Sequence, residues 1–162
     1  MTDNATTDSA TAPQATAPGQ LEAIWIKPAR RVPMADRQSA RVLAGEGLAE
    51  NANRGGKRQI TLLSADQWDE VCREIGTEVD PKSRRANLFV RGVELAETRG
   101  RTLQVGDCRI LIHGETRPCR LMEDTQPGLQ EALDPDWRAG AYGEALNDAE
   151  ISVGDPVAWV EE

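Results

Sequence analysis

RTLQVGDCRILIHGE, residues 101–115, decides the fold class. It reads as two strands folded about a Val105-Gly106-Asp107 turn. In the second strand Cys108, Ile110 and Ile112 alternate, which sends all three to one face of a sheet. Cys108 is therefore expected in the core, and His113 on the opposite face.

The same grammar extends outward. A second VGD at 153–155 again leads into an apolar strand, DPVAWVEE, so the repeat is turn chemistry. LEAIWIKP (21–28), SARVLAG (39–45), RQITLL (58–63) and NLFVRGVEL (87–95, turning at Gly92) read as further strands, rich in branched and aromatic residues. AYGEAL (141–146) and AEISVG (149–154) predict a hairpin about Asn147-Asp148. GEGLAENANRGGKR (45–58) is a long polar loop.

Two helices interrupt the strands. SADQWDEVCREIG (64–76) opens on Ser64 with Gln67 three residues on, a capping box, and ends at Gly76. Trp68, Val71, Cys72 and Ile75 form its apolar stripe, which makes Cys72 a core residue. PGLQEAL (127–133) is a short helix opening on Pro127. No βαβ rhythm runs through the chain, so the expected fold is mainly β (α+β): a β-barrel with a few short helices at its edge.

Composition sets the surroundings. Residues 1–20 hold no large apolar side chain beyond Met1 and predict a disordered tail; 21–162 predict one domain. The tail lacks the basic start and apolar stretch of a signal peptide, and no run approaches a membrane span. A net charge of −8 argues against a nucleic-acid partner. Three cysteines and no secretory signal fit free thiols in a reducing cytoplasm. One histidine and no CxxC pair argue against structural zinc.

Within this acidic chain the cations cluster: Arg54 with Lys57 and Arg58; Arg84 with Arg85; Arg99 with Arg101; Arg117 with Arg120. These groups can converge on an anion, and the glycines of NRGGK (53–57) can offer backbone N–H groups to a phosphate. Taken singly, each group also reads as solvated loop charge. Cys119 stands apart from the other cysteines: it follows Pro118 and lies between Arg117 and Arg120. Positive charge favours a thiolate, which serves as nucleophile, sulfur carrier or soft metal ligand.

Taken in order, GLAENANRGGKRQITLLSADQW (47–68), SRRANLFVRGVEL (83–95), GRTLQVGDCRILI (100–112), ETRPCRLME (115–123), RAGAY (138–142) and EISVGDPV (150–157) resemble the MOSC domain, the C-terminal domain of molybdenum-cofactor sulfurases, in its short stand-alone bacterial form. The resemblance covers roughly 21–160 and implies a β-barrel that binds the molybdenum cofactor, molybdopterin. It implies that Cys119 is the key cysteine, either a molybdenum ligand or a sulfur acceptor. Arg85 and Asn87 match an R-x-N element expected to hold the pterin or its phosphate, and Gly140 and Tyr142 match an element near the pocket. Lys57, Arg58, Arg117 and Arg120 complete the expected cofactor-binding set. Many family members carry GDxH after the first GL; here the stretch reads AENAN, with Asn51 and Asn53.

Two activities follow from the resemblance. One is molybdenum-dependent reduction of N-hydroxylated or similar small substrates, with electrons from a partner protein. The other is sulfur transfer through a Cys119 persulfide, with a donor or acceptor protein. From a different class, the barrel is a non-catalytic module that binds a small anion or a partner. RNA binding through NRGGKR is disfavoured by the net charge and the scarcity of aromatics.

Overall fold

The computed structural model describes residues 18–161. Residues 101–115 form β7 (Thr102–Val105) and β8 (Cys108–Glu115), paired antiparallel. Cys108, Ile110 and Ile112 are fully buried, while His113 faces outward and is half-buried. The other strands are β1 (Gly19–Ile26), β2 (Ala35–Arg37), β3 (Ser39–Leu43), β4 (Gly47–Leu48), β5 (Ile60–Ser64), β6 (Leu88–Arg91), β9 (Ala141–Ala145), β10 (Ala149–Ser152) and β11 (Pro156–Trp159).

Seven strands close a barrel in the order β11-β7-β8-β9-β5-β6-β1, with β1 pairing back onto β11. β2 extends β1, and β10-β3-β4 form a separate small sheet. The expected mainly β barrel is the observed fold. Of the predicted tail, 1–17 lies outside the described residues. Gly19 and Gln20, assigned to that tail, instead open β1 opposite Val157 and Pro156.

Adjacent side chains go to opposite sides of the wall and build two cores. Leu21, Ile24, Leu62, Leu88, Val90 and Ile110 fill the barrel. Their neighbours Trp25, Leu63 and Phe89 point outward, against α1 (Ala65–Ile75), α2 (Arg120–Thr125) and α3 (Leu129–Leu133). Trp68, Val71 and Cys72 of α1 lie in this second core. Ser64 caps α1, its Oγ accepting from the Gln67 N–H at 3.1 Å. The reciprocal half of the capping box is absent, because the Gln67 amide turns to the Asp136 carbonyl at 2.9 Å.

Two expectations are corrected. β9 and β10 do not form a hairpin: β9 pairs with β8 and β5, and β10 with β3. The Asn147 Oδ1 accepts from the Arg109 N–H, and the Asp148 Oδ1 from the Ala44 N–H. The two side chains thus tie off different sheets where the chain crosses between them. The chain also contains one β-α-β unit, since β5 and β6 are parallel neighbours joined through α1. Its return passes through a 3₁₀ turn, Pro81–Arg84, and delivers Arg84 and Arg85 to the start of β6.

Candidate functional site

At the start of β6 the chain takes a costly conformation. Arg85 caps the 3₁₀ turn with φ 65° and ψ 33°, the left-handed region that side chains other than glycine avoid. Two residues on, Asn87 is buried and its side chain is fully engaged. Its Oδ1 accepts from the Thr61 N–H and hydroxyl at 3.1 and 3.2 Å; its Nδ2 donates to the Trp25 carbonyl at 3.0 Å and to Asn51 Oδ1 at 3.2 Å. Asn51 Oδ1 also accepts from the Lys27 N–H at 2.8 Å, and its Nδ2 donates to the Asn53 carbonyl at 3.1 Å. Asn87 and Asn51 therefore bolt the 49–59 loop to the ends of β1, β5 and β6.

This bolting leaves a cavity of about 320 Å³. Its wall carries four cations, Lys27, Arg58, Arg84 and Arg85, and no carboxylate or imidazole. Among the described residues none of the four makes an ion pair with an acid. The Arg85 Nη2 is buried and has no hydrogen-bond partner among the described residues. An unpartnered buried guanidinium nitrogen is expensive, about 1–3 kcal/mol or more, so its presence points to an acceptor brought by a ligand.

The charges act on one another. Burial lowers the pKa of the Lys27 amine, and Arg85, Arg30 and Arg58 push it the same way. Burial likewise lowers that of Arg84; the Cys119 thiol opposes the shift and Arg58 adds to it. Arg84 is also a clamp: its Nε donates to the Ala139 carbonyl at 2.9 Å and its Nη2 to the Arg117 carbonyl at 3.3 Å. It thereby holds the 116–121 segment against the cavity. Thr116 and Leu121 of that segment line the wall, and exposed Cys119 lies between them in sequence at the N-terminal end of α2.

The expected site residues divide into two groups. Arg58 and Arg85 line the cavity, and Asn87 lines it with its polar atoms already used by the chain. Tyr142 on β9 lies outside the lining, its ring beneath the Arg58 guanidinium at 5.4 Å. Gly140, at φ 118°, is required by packing: a Cβ there would strike the Leu62 carbonyl and approach Thr116 Oγ1 at 2.9 Å. Lys57 is exposed and off the lining. Arg117 pairs with Asp134 at 3.8 Å and Arg120 with Asp124 at 4.0 Å, both on the surface. Arg84, which the sequence groups with Arg85 but does not connect to residue 119, is a cation that feels the charge of Cys119 and holds the Arg117 carbonyl two residues before it. Lys27 escapes sequence reading altogether, because a lysine ending an apolar strand before Pro28 looks like any solvated strand end. Of the remaining grouped cations, Arg54 pairs with Glu46, Arg99 lies over Trp137 and Arg101 over Trp159.

Among the described residues no three His, Cys, Asp or Glu side chains come together to hold a metal. The site is a cationic cavity, and the segment 116–121 that forms part of its wall carries the exposed thiol of Cys119.

Solved structures with the same fold include the YUAD protein from Bacillus subtilis (TM-score 0.72, 18% identity, 86% of this chain and 93% of that one). YiiM from Geobacillus stearothermophilus is also similar (TM-score 0.68, 16% identity, 89% and 76%), as is YiiM from Escherichia coli (0.62, 16%, 88% and 70%). At these identities the likeness shows the fold alone. No curated protein matches the chain. The MOSC domain model matches residues 42–158, which include β5, α1, β6, the cavity arginines and Cys119. The chain belongs to the MOSC domain family.

Proposed function

We propose that this protein holds the molybdenum cofactor, with its phosphate in the cationic cavity and Cys119 as the working thiolate at the edge. One observation carries the reading: four cations without acid partners share one cavity in a chain of net charge −8, and a buried Arg85 nitrogen there lacks an acceptor. A phosphate fits that wall in charge and in hydrogen-bonding sense, since guanidinium groups donate and phosphate oxygens only accept. Arg85, Arg84, Arg58 and Lys27 would hold it. Asn87 and Asn51 act indirectly, by fixing the backbone that presents them. Cys119 would be the protein's ligand to molybdenum, a soft donor suited to it. When bound, the cofactor supplies two-electron, oxygen-atom chemistry that no side chain can perform.

In this reading the chain's own work is binding and orienting the cofactor and presenting Cys119 to it. The substrates are small N-hydroxylated or related compounds, electrons arrive from a partner protein, and the reducing cytoplasm keeps the three thiols free. The exposure of Cys119 supports a second activity at the same site, sulfur carriage. There its thiolate would attack the outer sulfur of a donor persulfide, the donor thiolate would leave, and a Cys119 persulfide would form.

Cofactor released from a molybdoenzyme should bind the purified protein anaerobically. Arg85→Gln should weaken that binding by about tenfold or more, since it removes a charge-assisted donor. Equal binding by both proteins would remove the cavity from the account. Labile sulfane sulfur on wild type, absent from Cys119→Ser, would select carriage over reduction. A cavity that binds inorganic phosphate but neither cofactor nor sulfur would leave the non-catalytic anion-binding module.

A further inference from the structure

The cavity wall contains a single group able to exchange a proton near neutral or mildly alkaline pH. Arginine stays charged throughout that range, and no aspartate, glutamate, histidine, tyrosine or cysteine lines the wall. That group is Lys27. Its backbone is pinned, the N–H to Asn51 Oδ1 at 2.8 Å and the carbonyl to the Ala52 N–H at 2.7 Å, so the side chain leaves the end of β1 at a fixed point.

The amine is surrounded by like charge. Arg85, in the turn before β6, and Arg58, in the 49–59 loop, share the cavity wall with it, and these two and Arg30, after β1, act on the amine coulombically. Acids on the neighbouring elements are engaged elsewhere: Asp36 of β2 by Lys82 at 2.8 Å, and Glu50 by Arg37 at 3.0 Å. Among the described residues no acid makes an ion pair with any of the three arginines. An oxyanion placed among them reverses the local sign.

We infer that Lys27 is an anion-binding residue of the cavity, and that a dianionic oxyanion entering the cavity draws a proton onto its amine. The inference rests on the anion-site reading above. It follows from linkage: an anion that favours the protonated amine must itself bind more tightly when that amine is protonated. Burial and the arginines hold the pKa of the ligand-free amine below the usual lysine value, which opens a window, just under about pH 10.4, in which the uptake can be seen.

The test is calorimetry with inorganic phosphate, which remains a dianion between about pH 8 and about pH 10, in pairs of buffers with different ionisation enthalpies. In wild type the observed heat should depend on the buffer, reporting net proton uptake that grows toward the alkaline end. Lys27→Arg, which stays charged, should bind phosphate without buffer dependence. Lys27→Met should bind about tenfold or more weakly, as expected for losing one charge-assisted donor, and should show no uptake. Uptake in Lys27→Arg equal to wild type, or wild-type affinity in Lys27→Met, would overturn the inference. Absence of phosphate binding by wild type itself would overturn the anion-site reading together with it. That outcome differs from binding without Lys27-dependent uptake, which overturns the inference alone.

Discussion

Replacing Arg85 by glycine should make the ligand-free protein more stable and shrink the stabilisation that a bound anion gives. The left-handed backbone at φ 65° costs a side-chain-bearing residue about 1 kcal/mol, and glycine removes that cost. Glycine also loosens the unfolded chain, which takes back about 0.5–1 kcal/mol. The buried Nη2 without an acceptor weighs more, and its removal relieves about 1–3 kcal/mol. Lost contacts of the half-buried aliphatic stem return about 1 kcal/mol. The balance is a gain centred on about 1 kcal/mol within a range of about 0–2.5 kcal/mol, or about 2–4 °C in Tm at the centre for a chain of this length. Wild type should gain about 2.7 kcal/mol from phosphate at a hundredfold excess over its Kd, and a variant that binds about tenfold more weakly about 1.4 kcal/mol. Thermal melts should therefore converge: the variant melts higher without the anion, and phosphate raises wild type by about 1.3 kcal/mol more than the variant. A variant that melts below wild type in both conditions, or gains equally from phosphate, would refute the idea that Arg85 stores destabilisation for a ligand.

Other expectations follow from the same geometry. Asn87→Ala removes the side-chain partners of the Thr61 N–H and the Trp25 carbonyl, and should cost about 2–4 kcal/mol in a denaturant melt; a loss below about 0.5 kcal/mol would deny its structural role. Iodoacetamide should modify one thiol per native chain, Cys119, because Cys108 is fully buried and burial pushes its thiol up to about 12; rapid native labelling of two or three thiols by mass spectrometry would contradict this. Lys27 should also mark the stability of the ligand-free protein. Its folded pKa lies below its unfolded one, so the unfolded chain holds more protons in the window beneath lysine's usual value, and stability attributable to Lys27 rises with pH there. The difference in unfolding free energy between wild type and Lys27→Met should therefore change with that sign across about pH 8 to 10, and a flat difference would count against the coupling.

The barrel was legible because its signal is local. Cys108, Ile110 and Ile112 fill one face by period two alone, and Ser64 and Gly76 delimit α1 by cap chemistry that needs only neighbours. The expected hairpin at Asn147-Asp148 failed for the complementary reason. Those residues do end strands, but a turn does not specify which strands pair, and here the side chains satisfy Arg109 and Ala44, distant in sequence. The site followed the same division. Cys119 and Arg85 stood out through their immediate context, whereas the cavity gathers residues from 27 to 139. Sequence adjacency assigned Arg117 and Arg120 to the cysteine; folding turned both toward surface acids and brought Arg84 instead. Asn87 shows a further limit: a polar residue beside a site reads the same whether it binds a ligand or the backbone behind it.

In the proposed function the cationic cavity and Cys119 together retain a molybdenum cofactor. This retention is tested most directly by metal analysis of wild type and Cys119→Ser, both purified anaerobically from a host that makes the cofactor. Near-equimolar molybdenum is expected in wild type and little in the variant, with both proteins folded and melting alike. Wild type without molybdenum, or equal molybdenum in both, would contradict it.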